Sequence, residues 1–67
     1  MFNITVNGEQ KKFDSKTSIA EIVAQFELDI EKIAIERNQE ILHQENYSKT
    51  MIEDGDAIEI IHFVGGG

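Results

Sequence analysis

At 67 residues the chain has room for one small domain, and the complete absence of cysteine excludes disulfides and thiolate metal sites as staples for it. Only His43 and His62 offer ring nitrogens, so a zinc site would have to lean on carboxylates. Six Lys and Arg against thirteen Asp and Glu give a formal net charge of −7, which disfavours nucleic acid and anionic membranes and suits a partner with a basic docking surface.

Strand-like alternation begins at Phe2 and no apolar run approaches membrane-spanning length, so no leader or spanning segment is expected and the expected location is cytoplasmic. Phe2, Ile4 and Val6 alternate with Asn3, Thr5 and Asn7, the period of a strand with one buried face. Asn7-Gly8 tolerates the positive φ angles of a two-residue hairpin loop. Glu9 to Phe13 should therefore return antiparallel, with polar side chains suited to a sheet edge.

Ile19, Ile22, Val23 and Phe26 follow at i, i+3, i+4, i+7 and lay one apolar stripe along a helix. Ser18 and Glu21 fit a capping box at its start. After an acidic stretch ending near Lys32, Ile33 and Ile35 begin another strand, and Asn38-Gln39 turns into a short run at Ile41 and Leu42. A loop from Glu45 to Lys49 leads to a brief extended or turn segment, Thr50 to Ile52. Asp54-Gly55-Asp56 is a turn before Ala57 to Val64, the longest β-rich run, which ends directly in Gly65-Gly66-Gly67. The element order favours a single sheet with one helix packed across one face.

The three glycines carry the chemistry. They have no side chains and wide backbone freedom, so the sequence predicts a flexible tail able to thread a narrow channel in another protein. Its reactive group is the main-chain carboxylate of Gly67. A carboxylate is a poor electrophile; conversion to an acyl adenylate supplies a leaving group that sulfur can displace. Frayed ends and expression linkers also end in glycine, but this tail leaves a core strand with no spacer after a Gly-Asp turn.

The Asp54-Gly55-Asp56 turn, the strand Ala57-Ile58-Glu59-Ile60-Ile61-His62-Phe63-Val64 and the Gly-Gly end resemble the sulfur carriers of thiamine biosynthesis, the ThiS family. The Asn7-Gly8 hairpin and the helix start Thr17-Ser18-Ile19-Ala20-Glu21 are similar too, so the resemblance covers essentially the whole chain. It implies an α+β, β-grasp (ubiquitin-like) domain over residues 1–64. In that fold a mixed sheet of four to five strands carries one main helix on one face, with the first and last strands parallel in the centre.

The same resemblance implies that Gly67 is adenylated by an E1-like adenylyltransferase of the ThiF type and becomes a thiocarboxylate. The sulfur would come from a donor such as a cysteine desulfurase and pass to a thiazole synthase of the ThiG type. ATP and Mg would be used by the activating partner, with no cofactor bound to the chain itself. Gly66 completes the Gly-Gly motif, and Gly65 is an extra glycine before it.

Alternation also places Glu59, Ile61 and Phe63 on the face of the last strand opposite Ile58, Ile60 and His62. If the helix covers Ile58 and Ile60, then Ile61 and Phe63 are exposed apolar groups beside the tail. Together with Gly65 and Gly66 they form the expected partner-binding surface. No role falls to His62 or His43; Asp54 and Asp56 are turn residues first. Glu27, Asp29, Glu31, Glu53 and Glu59 contribute a solvated acidic surface that can steer docking.

Two relatives of the same chemistry stay open, the small subunit of molybdopterin synthase and a ubiquitin-like modifier that forms isopeptide bonds. A β-grasp binding module with incidental glycines is the third possibility. It alone predicts full function without Gly66 and Gly67.

Overall fold

The computed structural model describes residues 1–63; the expectations for Val64, Gly65, Gly66 and Gly67 lie outside the described residues. β1 (Phe2–Val6) and β2 (Glu9–Phe13) form the expected hairpin, paired from Phe2 opposite Phe13 to Val6 opposite Glu9. Asn7 and Gly8 have φ of 52° and 84°, the two left-handed conformations that let a two-residue loop follow the strand twist.

α1 (Ile19–Gln25) starts at Ser18, whose Oγ accepts from the Glu21 amide while the Glu21 carboxylate accepts from the Ser18 amide. Two otherwise unpaired amides are thereby satisfied. The helix ends without a glycine signal. Glu27 takes a left-handed φ of 57°, and the amides of Glu27 and Leu28 donate back to the carbonyls of Ala24 and Val23. That is the double bond of a Schellman turn, and it folds Leu28 against the core.

Two short 3-10 turns occupy places where the sequence indicated only an acidic stretch and a loop. Ile30–Lys32 is capped by Asp29, whose Oδ1 accepts from the Glu31 amide at 3.0 Å. Gln44–Lys49 is anchored by Tyr47, which is buried in the core. Segments of one or two turns are too short to carry an apolar periodicity.

β3 (Ile33–Arg37) and β4 (Glu40–Leu42) make a second antiparallel hairpin around Asn38-Gln39. β5 spans Ala57–His62, so Phe63, which the β-rich run included, lies just past the strand. The sheet order is β2-β1-β5-β3-β4, with β1 and β5 parallel and the other pairs antiparallel. β5 is therefore the central strand.

One face of this mixed sheet packs on α1. The largest fully buried side chains are all isoleucine: Ile4, Ile19, Ile22, Ile35, Ile52 and Ile58. Each gains about 1.5–3 kcal/mol from burial, which lets so short a chain hold a core without staples. Thr50 to Ile52 ties the helix start to the sheet through a bridge between Ser18 and Met51, with amides of Ile19 and Ile52 donating to Thr50 and Thr17 carbonyls. Among the described residues no helix is long and apolar enough to cross a membrane.

Candidate functional site

The site is built on β5, because its C-terminal end leads into residues 64–67. Its N-terminal end is set by the Asp54-Gly55-Asp56 turn. Gly55 has φ 91° with nothing within 4 Å of the position a Cβ would occupy, so glycine is needed there for its backbone conformation and not for space. The turn is bonded to β1: the Asn3 amide donates to Asp54 Oδ1 at 2.7 Å, the Gly55 amide to the Asn3 carbonyl, and the Thr5 amide to the Asp56 carbonyl.

Asp56 is 5% exposed and accepts three hydrogen bonds, from the Glu53 amide at 2.8 Å, Arg37 Nε at 3.0 Å and Asn38 Nδ2 at 3.1 Å. Burial pushes its carboxyl upward, but the Glu53 amide, Asn38 and Arg37 together outweigh that and hold it below the usual carboxylate range. The hydrogen bond to Asp56 in turn raises Arg37. Arg37 also meets Glu53 at 3.3 Å, but this second pair is largely exposed and contributes little. Asp54 and Asp56 are thus separate turn anchors and not a paired acid and base. Among the described residues no three His, Asp or Glu side chains gather as a metal site.

The asparagines of the two hairpin turns, legible in the sequence only as turn residues, both clamp β5. Asn38 Oδ1 accepts from the Ala57 amide at 2.9 Å while its main-chain amide donates to the Ala57 carbonyl. At the other end, Asn7 Oδ1 accepts from the Ile60 amide at 2.6 Å and Asn7 Nδ2 donates to the Ile60 carbonyl at 3.3 Å. Both residues have positive φ, which asparagine tolerates better than most side chains. No local signal shows that a turn amide will bond a strand tens of residues away.

The two faces of β5 separate as alternation requires. Ile58 and Ile60 are buried under α1, whereas Ile61 is 44% and Phe63 56% exposed. His62 is exposed as well. The Phe63 amide donates to the Lys32 carbonyl at 2.9 Å, which keeps that residue beside the sheet although the strand has ended. Ile61 lies opposite Ala34, and Ile41, 65% exposed, widens the apolar area across β4.

The acidic residues expected to form a solvated surface do not act as one set. Asp29 caps a turn, Glu27 closes the helix and Glu53 meets Arg37. Glu59 stands on the open face directly across from Glu36. The sheet thus brings Ile61 and Phe63 together on its open face; Gly65, Gly66 and Gly67 lie outside the described residues.

Comparison with known proteins agrees with this architecture. The ThiS family model matches residues 4–67. A sulfur carrier protein ThiS of Bacillus subtilis is 38% identical over 65 residues, covering 96% of this chain and 98% of that protein. A thiazole synthase of Paramagnetospirillum magneticum is 34% identical over 64 residues; these are 96% of this chain but only 20% of the synthase, so the chain spans about a fifth of that relative's length. The crystal structure of a thiamine biosynthesis protein (ThiS) from Geobacter metallireducens superposes with a TM-score of 0.83 at 33% identity, covering 98% of this chain and 100% of that one.

Proposed function

The chain belongs to the ThiS family, and from that premise we propose that it is a sulfur carrier of thiamine biosynthesis whose working group is the main-chain carboxylate of Gly67. In this role it is a co-substrate of other enzymes and not itself an enzyme. The observation that carries the proposal is the family match, which runs through the glycines to residue 67. The thiamine names of the Bacillus and Geobacter relatives support that pathway over the molybdopterin branch or a protein modifier.

The chemistry follows from the carboxylate. An oxygen of Gly67 attacks the α-phosphorus of ATP on an E1-like adenylyltransferase, with Mg held by that enzyme, and pyrophosphate leaves. A sulfur nucleophile then adds to the acyl carbon and expels AMP. With sulfide as nucleophile the product is the thiocarboxylate directly, and no electrons are gained or lost. A cysteine desulfurase is the proposed sulfur source in the cell; its persulfide would displace AMP to give an acyl disulfide, which a thiol then cleaves to the thiocarboxylate and a new disulfide. The proposed location is the cytoplasm.

A thiazole synthase is the proposed recipient. Support comes from the synthase that contains a segment similar to nearly all of this chain. The part played by the fold is mechanical. β5 is held by β3 as far as His62 and by the Lys32 carbonyl at Phe63, so Ile61 and Phe63 present a firm apolar surface next to the chain that leads to Gly67. Both side chains are half exposed, and replacing them with serine should leave the fold intact while weakening partner docking at least about tenfold.

The test is the intact mass of the protein after incubation with an E1-like adenylating enzyme, ATP, Mg and sulfide. The expected result is a gain equal to one sulfur replacing one oxygen, absent when Gly67 is deleted. An unchanged mass in the full chain with a matched enzyme overturns the proposal.

A further inference from the structure

β5 is a central strand, yet one of its sides is not covered to the end. β1 pairs with it only at Thr5 opposite Ala57 and Val6 opposite Ile58, with one more bond from the Asn7 amide to the Ile58 carbonyl. There the chain turns back through Asn7-Gly8. The Asn7 side chain takes over for one further step, its amide meeting both the N–H and the C=O of Ile60 in the manner of a peptide unit.

The phase of the strand then decides what happens at His62. Successive residues of a strand aim their backbone groups to opposite sides. Ile58 and Ile60 aim theirs toward β1, and Phe63 aims its amide at Lys32 on the β3 side. His62, two residues beyond Ile60, therefore directs its N–H and C=O toward the line of β1, where β1 has already turned away. Among the described residues nothing donates to or accepts from these groups. The result is a notch in the sheet, one residue wide in the described chain, immediately before the segment that leads to Gly67.

The walls of the notch suit a particular occupant. On the helix side lies a cleft with Val6, Phe26, Leu28 and Ile60 as its apolar floor and Lys11 on its rim. On the opposite face stand the exposed Ile61 and Phe63. Unpaired backbone groups, a cleft for one apolar side chain and apolar contacts on the other face are together what an extended peptide segment requires, since its backbone supplies the missing hydrogen bonds and its alternate side chains enter the cleft. A helix has no free backbone groups along its length to offer His62.

We propose that the adenylating partner docks by adding an extended segment to β5 at His62, in line with β1, with an apolar side chain seated on Phe26 and Leu28. This rests on the sulfur-carrier role above and gives it a register. Gly67 lies five residue steps beyond His62, and a fully extended chain of that length reaches at most about 18 Å. Pairing at His62 therefore sets how deep in the partner the carboxylate arrives.

The test uses the full chain and the adenylating enzyme. His62→Pro removes the outward N–H and leaves the β3 ladder untouched, whereas His62→Ala keeps the N–H and removes only the imidazole. His62→Pro should bind at least about tenfold more weakly than His62→Ala, because both lack the imidazole that lines the cleft and only the proline also lacks the N–H. Equal binding by the two variants overturns the notch.

Amide exchange followed by NMR gives a second readout that needs no substitution. The His62 amide should exchange rapidly in the free protein and at least about tenfold more slowly in the complex. Unchanged exchange at His62 in a formed complex also overturns it. A parent chain that neither binds the enzyme nor gains sulfur removes the carrier role itself, whereas normal thiocarboxylation with an indifferent His62→Pro removes only the docking mode.

Discussion

Asp56→Ala tests whether the base of β5 depends on the buried carboxylate. The substitution strands the Glu53 amide, which donated at 2.8 Å, and an unpaired buried amide costs about 1–3 kcal/mol. Asn38 and Arg37 lose their acceptors at 3.1 and 3.0 Å, but both can turn toward water, so each adds only about 0.5–1 kcal/mol. The expected cost is about 2–5 kcal/mol, a large part of the roughly 3–10 kcal/mol that a chain of this size has in total. Thermal unfolding should therefore move down by about 8–40 °C, at about 4–8 °C per kcal/mol.

The acid range supplies an independent check. The folded carboxyl sits below its ordinary range, so its contribution is complete above the unfolded value of about 3.9 and is lost as pH falls through the lower folded value. Urea midpoints of parent and variant should accordingly differ most at neutral pH and converge under acid. A fall in the thermal midpoint of less than about 4 °C, or stability curves that stay parallel through the acid limb, would refute the anchoring role of Asp56.

Two substitutions should stabilise the domain. Glu27→Gly relieves the left-handed φ of 57° at the helix end and should add about 0.5–1 kcal/mol, measured by urea unfolding; a midpoint at or below the parent's contradicts the claim of strain. Glu59→Lys converts the like-charged pair with Glu36 on the open face into an opposite-charged one, for a gain of roughly 0.5 kcal/mol. That gain should shrink in high salt, and a gain insensitive to salt would point away from electrostatics.

Much of the architecture was legible from local chemistry. Asn7-Gly8 determines a tight hairpin because few other pairs accept two positive φ angles, and Ser18 with Glu21 determines where the helix begins because those side chains satisfy their own turn. The alternation of β5 likewise determined that Ile58 and Ile60 would be buried and Ile61 and Phe63 exposed. The helix end at Glu27 and the two 3-10 segments were hidden, since a non-glycine Schellman turn and one or two turns of 3-10 helix leave no periodic mark.

The candidate site divides along the same line. Gly67 as the reactive group follows from the order of residues and the family match, while Ile61 and Phe63 follow from the period of a strand. Only the tertiary structure joined Asn7 to Ile60, Asn38 to Ala57 and Asp56 to Arg37, and only it left the backbone of His62 facing a place in the sheet that no described residue fills. Periodicity and turn propensity act between near neighbours in the chain and can be read there. Which distant donor meets which acceptor depends on how strands are ordered and where each one stops, and that is settled when the core closes and parallel β1 and β5 come together in the middle of the sheet.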